Sequence, residues 1–206
     1  MSARDEILAN IRARRVRSAQ RPAQFRLPEL PKEAVTQFID RARASGADVR
    51  RLADAKDIPA AIAEALRDRN LGATLHLPPD AQWDARMWDA APGLTLTHDA
   101  PGGNDAALGV APYAIAETGT LVFLSDTTRP ASWHFRPGLE VAVVRSESIL
   151  PHLESVLARA KIAGRLPHTV NLVTGPSRTG DIEQTLELGA HGPKALVILV
   201  VDGAPD

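Results

Sequence analysis

Seven consecutive apolar residues, Ala195 to Val201, constrain the fold of this chain more than any other stretch. A strand with no polar face has to be covered on both sides, which places it centrally in a sheet. Leu121 to Leu124 repeats the pattern, and Val141 to Val144 gives a further apolar strand. Between such strands lie helical patterns. Val35, Phe38, Ile39 and Ala42 fall at i, i+3, i+4 and i+7 after Pro31, an amphipathic helix closed by Gly46. Ala47 to Leu52 reads as a short strand, Asp57 to Asn70 as a helix with Ile62, Ala65 and Leu66 inward, and Ala73 to Leu77 as the next strand. This βαβ rhythm predicts an α/β fold with a mostly parallel sheet. Aromatic residues make up only 4% of the chain against 44% hydrophobic overall. The core therefore rests on Leu, Ile, Val and Ala, which favours helices on a sheet over an aromatic-rich sandwich.

The remaining elements are read the same way. Ser2 ahead of Asp5, with Ile7, Leu8 and Ile11 at helical spacing, predicts a first helix over about residues 3–17. Its second half is basic, and Arg12, Arg14, Arg15, Arg17, Arg21 and Arg26 precede the next acidic residue, Glu29. No aromatic residues interleave for base stacking, so this reads as a solvated helix end rather than a nucleic-acid arm. Pro22, Pro28 and Pro31 mark an extended connector, dividing the chain into an appendage over 1–31 and an α/β domain over 32–206. Trp83 and Trp88 fall in a short helical segment before a strand at Leu94 to Thr97; His98 to Asp105 is a polar loop ending in a helix cap. Glu147 to Ala163 reads as a helix, and so does Asp181 to Leu188.

Composition excludes several classes of function. A formal net charge of −1 gives no global attraction to nucleic acid or an anionic membrane. With no cysteine there is no disulfide, thiolate zinc site, cysteine nucleophile or ordinary iron–sulfur ligation on this chain. No apolar run reaches the ~18 residues of a spanning helix, and no secretory h-region follows the N-terminal charges. A cytoplasmic location is expected.

Three stretches carry chemistry. In Thr174-Gly175-Pro176-Ser177-Arg178-Thr179-Gly180-Asp181-Ile182-Glu183 an apolar run enters two glycines and then a helical rhythm. A helix N-terminus exposes unpaired N–H groups, and with Arg178 it forms an anion-binding turn. Gly175 and Gly180 have phosphate-loop spacing, but Asp181 and Ile182 replace the required Lys and Ser/Thr, so triphosphate hydrolysis is disfavoured. A plain connection capped by Ser177 or Thr179 is the competing reading. The second stretch is Ala116-Glu117-Thr118-Gly119-Thr120, where a carboxyl at the edge of apolar surroundings suits proton transfer or nucleophilic attack. Its alternative is a simple turn. The third, Asp126 to Gly138, is a polar and cationic loop with Thr127, Thr128, Arg129, Ser132, Trp133, His134 and Arg136 as candidate lining residues. His98 and Asp99 are too little for a metal site, and none is expected. There is no G-x-G-x-x-G dinucleotide fingerprint.

The Glu117 turn, the Thr174 to Glu183 segment and Gly189-Ala190-His191-Gly192-Pro193-Lys194, in that order, resemble the LUD-domain family, the lactate utilization protein C group. The resemblance implies an open three-layer α/β/α sheet related to sugar-phosphate isomerases and CoA transferases. It also implies participation in oxidising L-lactate to pyruvate, with iron–sulfur clusters on partner proteins and none on this chain. Carried across, the implied ligand-binding positions are Thr118, Gly119, Thr120, Gly175, Pro176, Ser177, Arg178, Thr179, Asp181, Glu183, Gly192 and Lys194, with Glu117 and His191 as candidate catalytic groups. Gly180 and Ala190 depart from the family's alanine and valine. Glu140 stands where the family pattern has a histidine, after Phe135-Arg136-Pro137-Gly138-Leu139. A stand-alone CoA-transferase-like or sugar-phosphate-binding enzyme and a non-catalytic scaffold are the alternatives.

Overall fold

The protein is described from a computed structural model, covering residues 2–14, 26–30, 32–79, 85–125, 130–162, 167, 169–180, 186–188 and 192–203. Six strands build one wholly parallel sheet: β1 (Asp48–Leu52), β2 (Thr74–His76), β3 (Thr95–Thr97), β4 (Ala106–Ala111), β7 (Leu139–Arg145) and β12 (Ala195–Val201), in the order β1-β12-β7-β4-β2-β3. The apolar run of β12 is flanked on both sides, as expected of a strand with no polar face.

Alternation along β12 divides the core in two. Val197, Leu199 and Val201 face one way and pack with Ile58, Ile62, Ala65 and Leu66 of α3 (Ile58–Asp68) and with Trp88 of a 3₁₀ turn at Ala85–Ala90. Leu196, Ile198 and Val200 face the other way, toward Val35, Phe38 and Ala42 of α2 (Ala34–Ala44). Each such fully buried aliphatic side chain contributes about 1.5–3 kcal/mol.

The second face carries more than helix. A four-stranded sheet, ordered β8-β5-β6-β9, covers it beside α2. Its strands are β5 (Tyr113–Ile115), β6 (Thr120–Ser125), β8 (Ile149–Leu150) and β9 (Thr169–Val173). Leu121 and Phe123 of β6 face the large sheet, while Ile115 and Val122 turn outward to Val156 of α5 (Leu153–Ile162). Pro112 marks the crossing of the chain from β4 into this sheet, and α4 (Ser132–Phe135) precedes its return in β7.

At the start of the chain, α1 (Ala3–Ala13) forms with a capping box between Ser2 and Asp5, has Arg14 as its C-cap and buries no residue, and residues 15–17 of the expected helix lie outside the described residues. Two local readings are corrected. Asp105 leads into β4 and caps no helix; its carboxylate accepts the Gly102 N–H at 2.7 Å. Glu147 to Ala163 is not one helix, because Pro151 interrupts it and Ile149–Leu150 pairs with β5 before α5 begins.

The larger correction concerns Asp181 to Leu188. Arg178–Gly180 (β10) and Leu186–Leu188 (β11) pair as an antiparallel ribbon, Arg178 opposite Leu188, and residues 181–185 lie outside the described residues. Leu186, Glu187 and Leu188 alternate with period two, and Thr179 and Gly180 are poor helix formers. Of the helix expected over Asp181 to Leu188, the described part, Leu186–Leu188, is therefore a strand, and the residues just before it, Arg178–Gly180, are its partner.

Candidate functional site

Two turns separated by more than fifty residues meet through their hydroxyl groups. Thr118 Oγ1 lies 2.7 Å from Thr120 Oγ1, which lies 2.7 Å from Thr174 Oγ1. Pairing of β6 with β9 in antiparallel register brings them together, with Leu121 opposite Val173. Both turns press on the last turn of α2. Gly119 has φ +70°, and a Cβ there would fall 2.3 Å from the Ala42 nitrogen. Gly175 has φ +74°, and its Cβ would fall 2.2 Å from the Ser45 carbonyl oxygen. Only glycine combines that backbone with that approach.

From Gly175 the chain runs along the edge where the parallel strands begin. Arg178 places a guanidinium nitrogen 2.8 Å from where a Cβ on Gly46 would stand, at the entrance to β1. Ser177 N–H donates to the Pro193 carbonyl at 2.9 Å, and Ser177 Cβ is 3.1 Å from the site of a Cβ on Gly192. Lys194, just before β12, donates to Asn104 Oδ1 at 3.3 Å, and Asn104 lies just before β4. The structure thus brings Thr118, Gly119, Thr120, Gly175, Pro176, Ser177, Arg178, Gly192 and Lys194 to the amino-terminal edge of the large sheet. Open α/β sheets more often use the carboxyl edge. Of Thr179 only the backbone, in β10, is described, and Asp181, Glu183 and His191 lie outside the described residues.

Glu117 stands beside this group, its side chain 48% exposed. Its Oε2 is 2.9 Å from Nδ1 of His152, whose Nε2 lies 2.9 Å from the Pro28 carbonyl. A carboxylate and a carbonyl only accept, so this arrangement favours the imidazolium, in which both ring nitrogens donate. The hydrogen bond to Glu117 accordingly raises the His152 pKa, and the carbonyl adds to it.

The deeply buried carboxyl is instead Glu140, the second residue of β7, its side chain 1% exposed. Glu140 is in register with Ala107 of β4 and Leu196 of β12, so it points into the space between the two sheets. There its Oε1 shares a hydrogen bond with Nδ1 of His134 at 2.6 Å. The His134 ring stacks on Phe123, centroids 3.7 Å apart. Gly109 makes room for the pair, since a Cβ there would fall 2.7 Å from Glu140 Oε1. Burial pushes the Glu140 carboxyl above its ordinary range, against the pull of His134. Its second oxygen, Oε2, and the indole nitrogen of Trp133 are buried and have no hydrogen-bond partner among the described residues.

His134 and Trp133 were marked by the polar loop that contains them. His152 and His76 were not marked: the first is hidden in a helical pattern, the second in a short strand. His76 lies in the same row as Ala107 and Glu140, with Nδ1 2.9 Å from the Asp99 carbonyl and Nε2 3.5 Å from Asp105 Oδ2. Among the described residues no cluster of three or more His, Asp or Glu side chains is arranged to hold a metal ion. A shallow depression between α3 and the 3₁₀ turn, lined by Ala60, Ala63, Leu66, Arg67, Leu71 and Leu94, has no acid–base group.

Residues 98–201, half of the chain, match the model of the LUD domain, and the chain belongs to the LUD domain family. A protein of Escherichia coli K12, described as uncharacterized protein YkgG, is 29% identical over 172 residues, covering 81% of this chain and 72% of that one. Lactate utilization protein C of Bacillus licheniformis is 37% identical over 122 residues, 56% of this chain and 50% of that protein. Its counterpart in Halalkalibacterium halodurans is 32% identical over 120 residues, covering 56% and 52%. The chain therefore spans about half the length of these lactate utilization relatives. In fold it is similar to a solved DUF162 family protein from Deinococcus radiodurans, with a TM-score of 0.59 at 24% identity, over 84% of this chain and 99% of that one. No helix among the described residues is long and apolar enough to cross a membrane.

Proposed function

We propose that this protein is a component of a system that oxidises L-lactate to pyruvate, and that it binds a small carboxylate at the amino-terminal edge of its large sheet. The observation that carries the reading is the convergence of two family motifs there, through the Thr120–Thr174 hydrogen bond, beside Arg178 and Lys194. Both cations are exposed, and among the described residues neither is held by an acidic side chain. A guanidinium suits a carboxylate because it can donate two parallel hydrogen bonds.

The reaction removes two electrons and two protons from lactate. This chain contributes binding and orientation, and the electrons pass to iron–sulfur partner proteins, since a chain with no cysteine lacks the ordinary ligands for such clusters. The protein is in this reading a subunit of a redox system rather than a complete dehydrogenase.

The test is L-lactate-dependent reduction of an artificial electron acceptor by the purified protein alone, by its iron–sulfur partners alone, and by the mixture. Activity in the mixture only, lost with Arg178→Ala, is the expected result. No lactate-dependent activity in any combination overturns the proposal.

A further inference from the structure

The pair formed by Glu140 and His134 uses only one of the two carboxyl oxygens. Oε1 is held by His134 at 2.6 Å, while Oε2 is buried and unpaired among the described residues, as is Trp133 Nε1. Leaving such an atom unsatisfied costs roughly 1–3 kcal/mol, and a buried carboxyl could be replaced by an apolar side chain at little loss. A chain that keeps one, places glycine at 109 to seat it and stacks Phe123 over its partner is built to present the free oxygen to something else. The pair also lies beside the edge already discussed. Lys194 immediately precedes β12, two positions before Leu196, the register partner of Glu140. The two Cα atoms are then roughly 8 Å apart, which a lysine side chain and a three-carbon acid can span.

We infer that Glu140 and His134 form the hydroxyl-recognising part of a binding site for small 2-hydroxy or 2-oxo carboxylic acids, Glu140 Oε2 bonding the ligand's C2 oxygen and Lys194 its carboxylate. The shared proton lets one site serve both forms. With His134 an imidazolium and Glu140 a carboxylate, Oε2 accepts from a hydroxyl; with His134 neutral, its Nδ1–H still donating to Oε1, and the other proton on Oε2, it donates to an oxo group. His134 is a positioning residue, holding Oε1 so that Oε2 is directed at the ligand. The assignment rests on the amino-terminal edge being the ligand-bearing edge, but not on lactate being the ligand.

The experiment is calorimetric titration of the full chain with three matched pairs differing in one hydroxyl: L-lactate and propionate, glycolate and acetate, L-malate and succinate. In the wild-type protein at least one hydroxy acid should bind at least about tenfold tighter than its deoxy partner, because a site that bonds a hydroxyl discriminates against its absence. The double variant His134→Phe/Glu140→Leu replaces both partners with apolar groups, so it should melt no lower than the wild type while discrimination falls to within about twofold. A second readout uses no variant: the Trp133 indole N–H and Glu140 carboxyl resonances of the wild type should move with the hydroxy acid and not with its deoxy partner. Absence of discrimination in every pair, its survival in the double variant, or unmoved resonances overturns the assignment. Discrimination for glycolate or malate but not lactate upholds the site and sinks the lactate reading. Lactate-dependent acceptor reduction that is unaffected by the double variant does the reverse.

Discussion

Glu117 holds His152 at 2.9 Å, and His152 in turn holds the carbonyl of Pro28, so this pair ties the connector at residues 26–30 to the sheet. The pKa of His152 is raised above its ordinary 6.5. A raised histidine contributes stability that is complete below about pH 6.5, the unfolded value, and is lost as pH rises through the folded value. Tryptic cleavage after Arg26 should accelerate as pH rises through that interval, and Glu117→Gln should bring the His152 titration, followed by NMR, back toward the ordinary value. With Glu117 half exposed, the effect on global stability should stay within about 1 kcal/mol. A cleavage rate independent of His152 protonation would refute the tether.

The glycines at 119 and 175 should be irreplaceable for a reason that the other loops do not share. Alanine at either meets α2 backbone within 2.3 Å in a left-handed conformation. Each substitution should cost at least about 2 kcal/mol, a fall in Tm of roughly 4–8 °C. Gly72→Ala, with nothing within 4 Å of the added carbon, is the control and should leave Tm unchanged or slightly higher.

Thr120 is buried and bridges two exposed threonines, Thr118 and Thr174. Thr120→Val keeps its shape and removes both hydrogen bonds, at a cost of about 1 kcal/mol in denaturant unfolding. Thr120→Ser should recover most of it, whereas equal loss in both would mean that methyl packing, not the hydroxyl, sets the value.

Arg178→Ala and Lys194→Ala should each weaken carboxylate binding about fivefold to tenfold, and wild-type affinity should fall as salt is raised from ~0.05 to ~0.5 M. Salt-insensitive affinity would place the ligand away from both cations.

In the large sheet β1, β2 and β3 were read from their places between helices, and β4 was not marked as a strand. Strands β7 and β12 were legible because their sequences are almost wholly apolar, and Ala195 to Val201 fits no surface element. Strand β6 was legible for the same reason, but its second sheet was not. β5, β8 and β9 are two to five residues long, and their pairing depends on contacts made far along the chain. The helix expected over Asp181 to Leu188 rested on Ile182 and Leu186, four apart, which imitate one helical turn; of that range the structure describes Leu186–Leu188, and these form a strand. The alternation of Leu186 and Leu188 that belongs to β11 is too short to outweigh them. At the site, the motif residues were visible, while their partners were not. His152 follows Pro151 inside an apparent helix, and Glu140 reads as an interruption of an apolar strand until the turn of α4 lays His134 against it.

The central claim is that a small carboxylate binds where the parallel strands begin. Titration of isotope-labelled protein with L-lactate, following backbone amide resonances, tests it most directly. The account predicts saturable shifts concentrated at Thr118 to Thr120, Thr174 to Arg178 and Gly192 to Lys194. Shifts gathered instead at the carboxyl ends of the strands, around Ala111, Arg145 and Val201, or no saturable shifts at all, would contradict it.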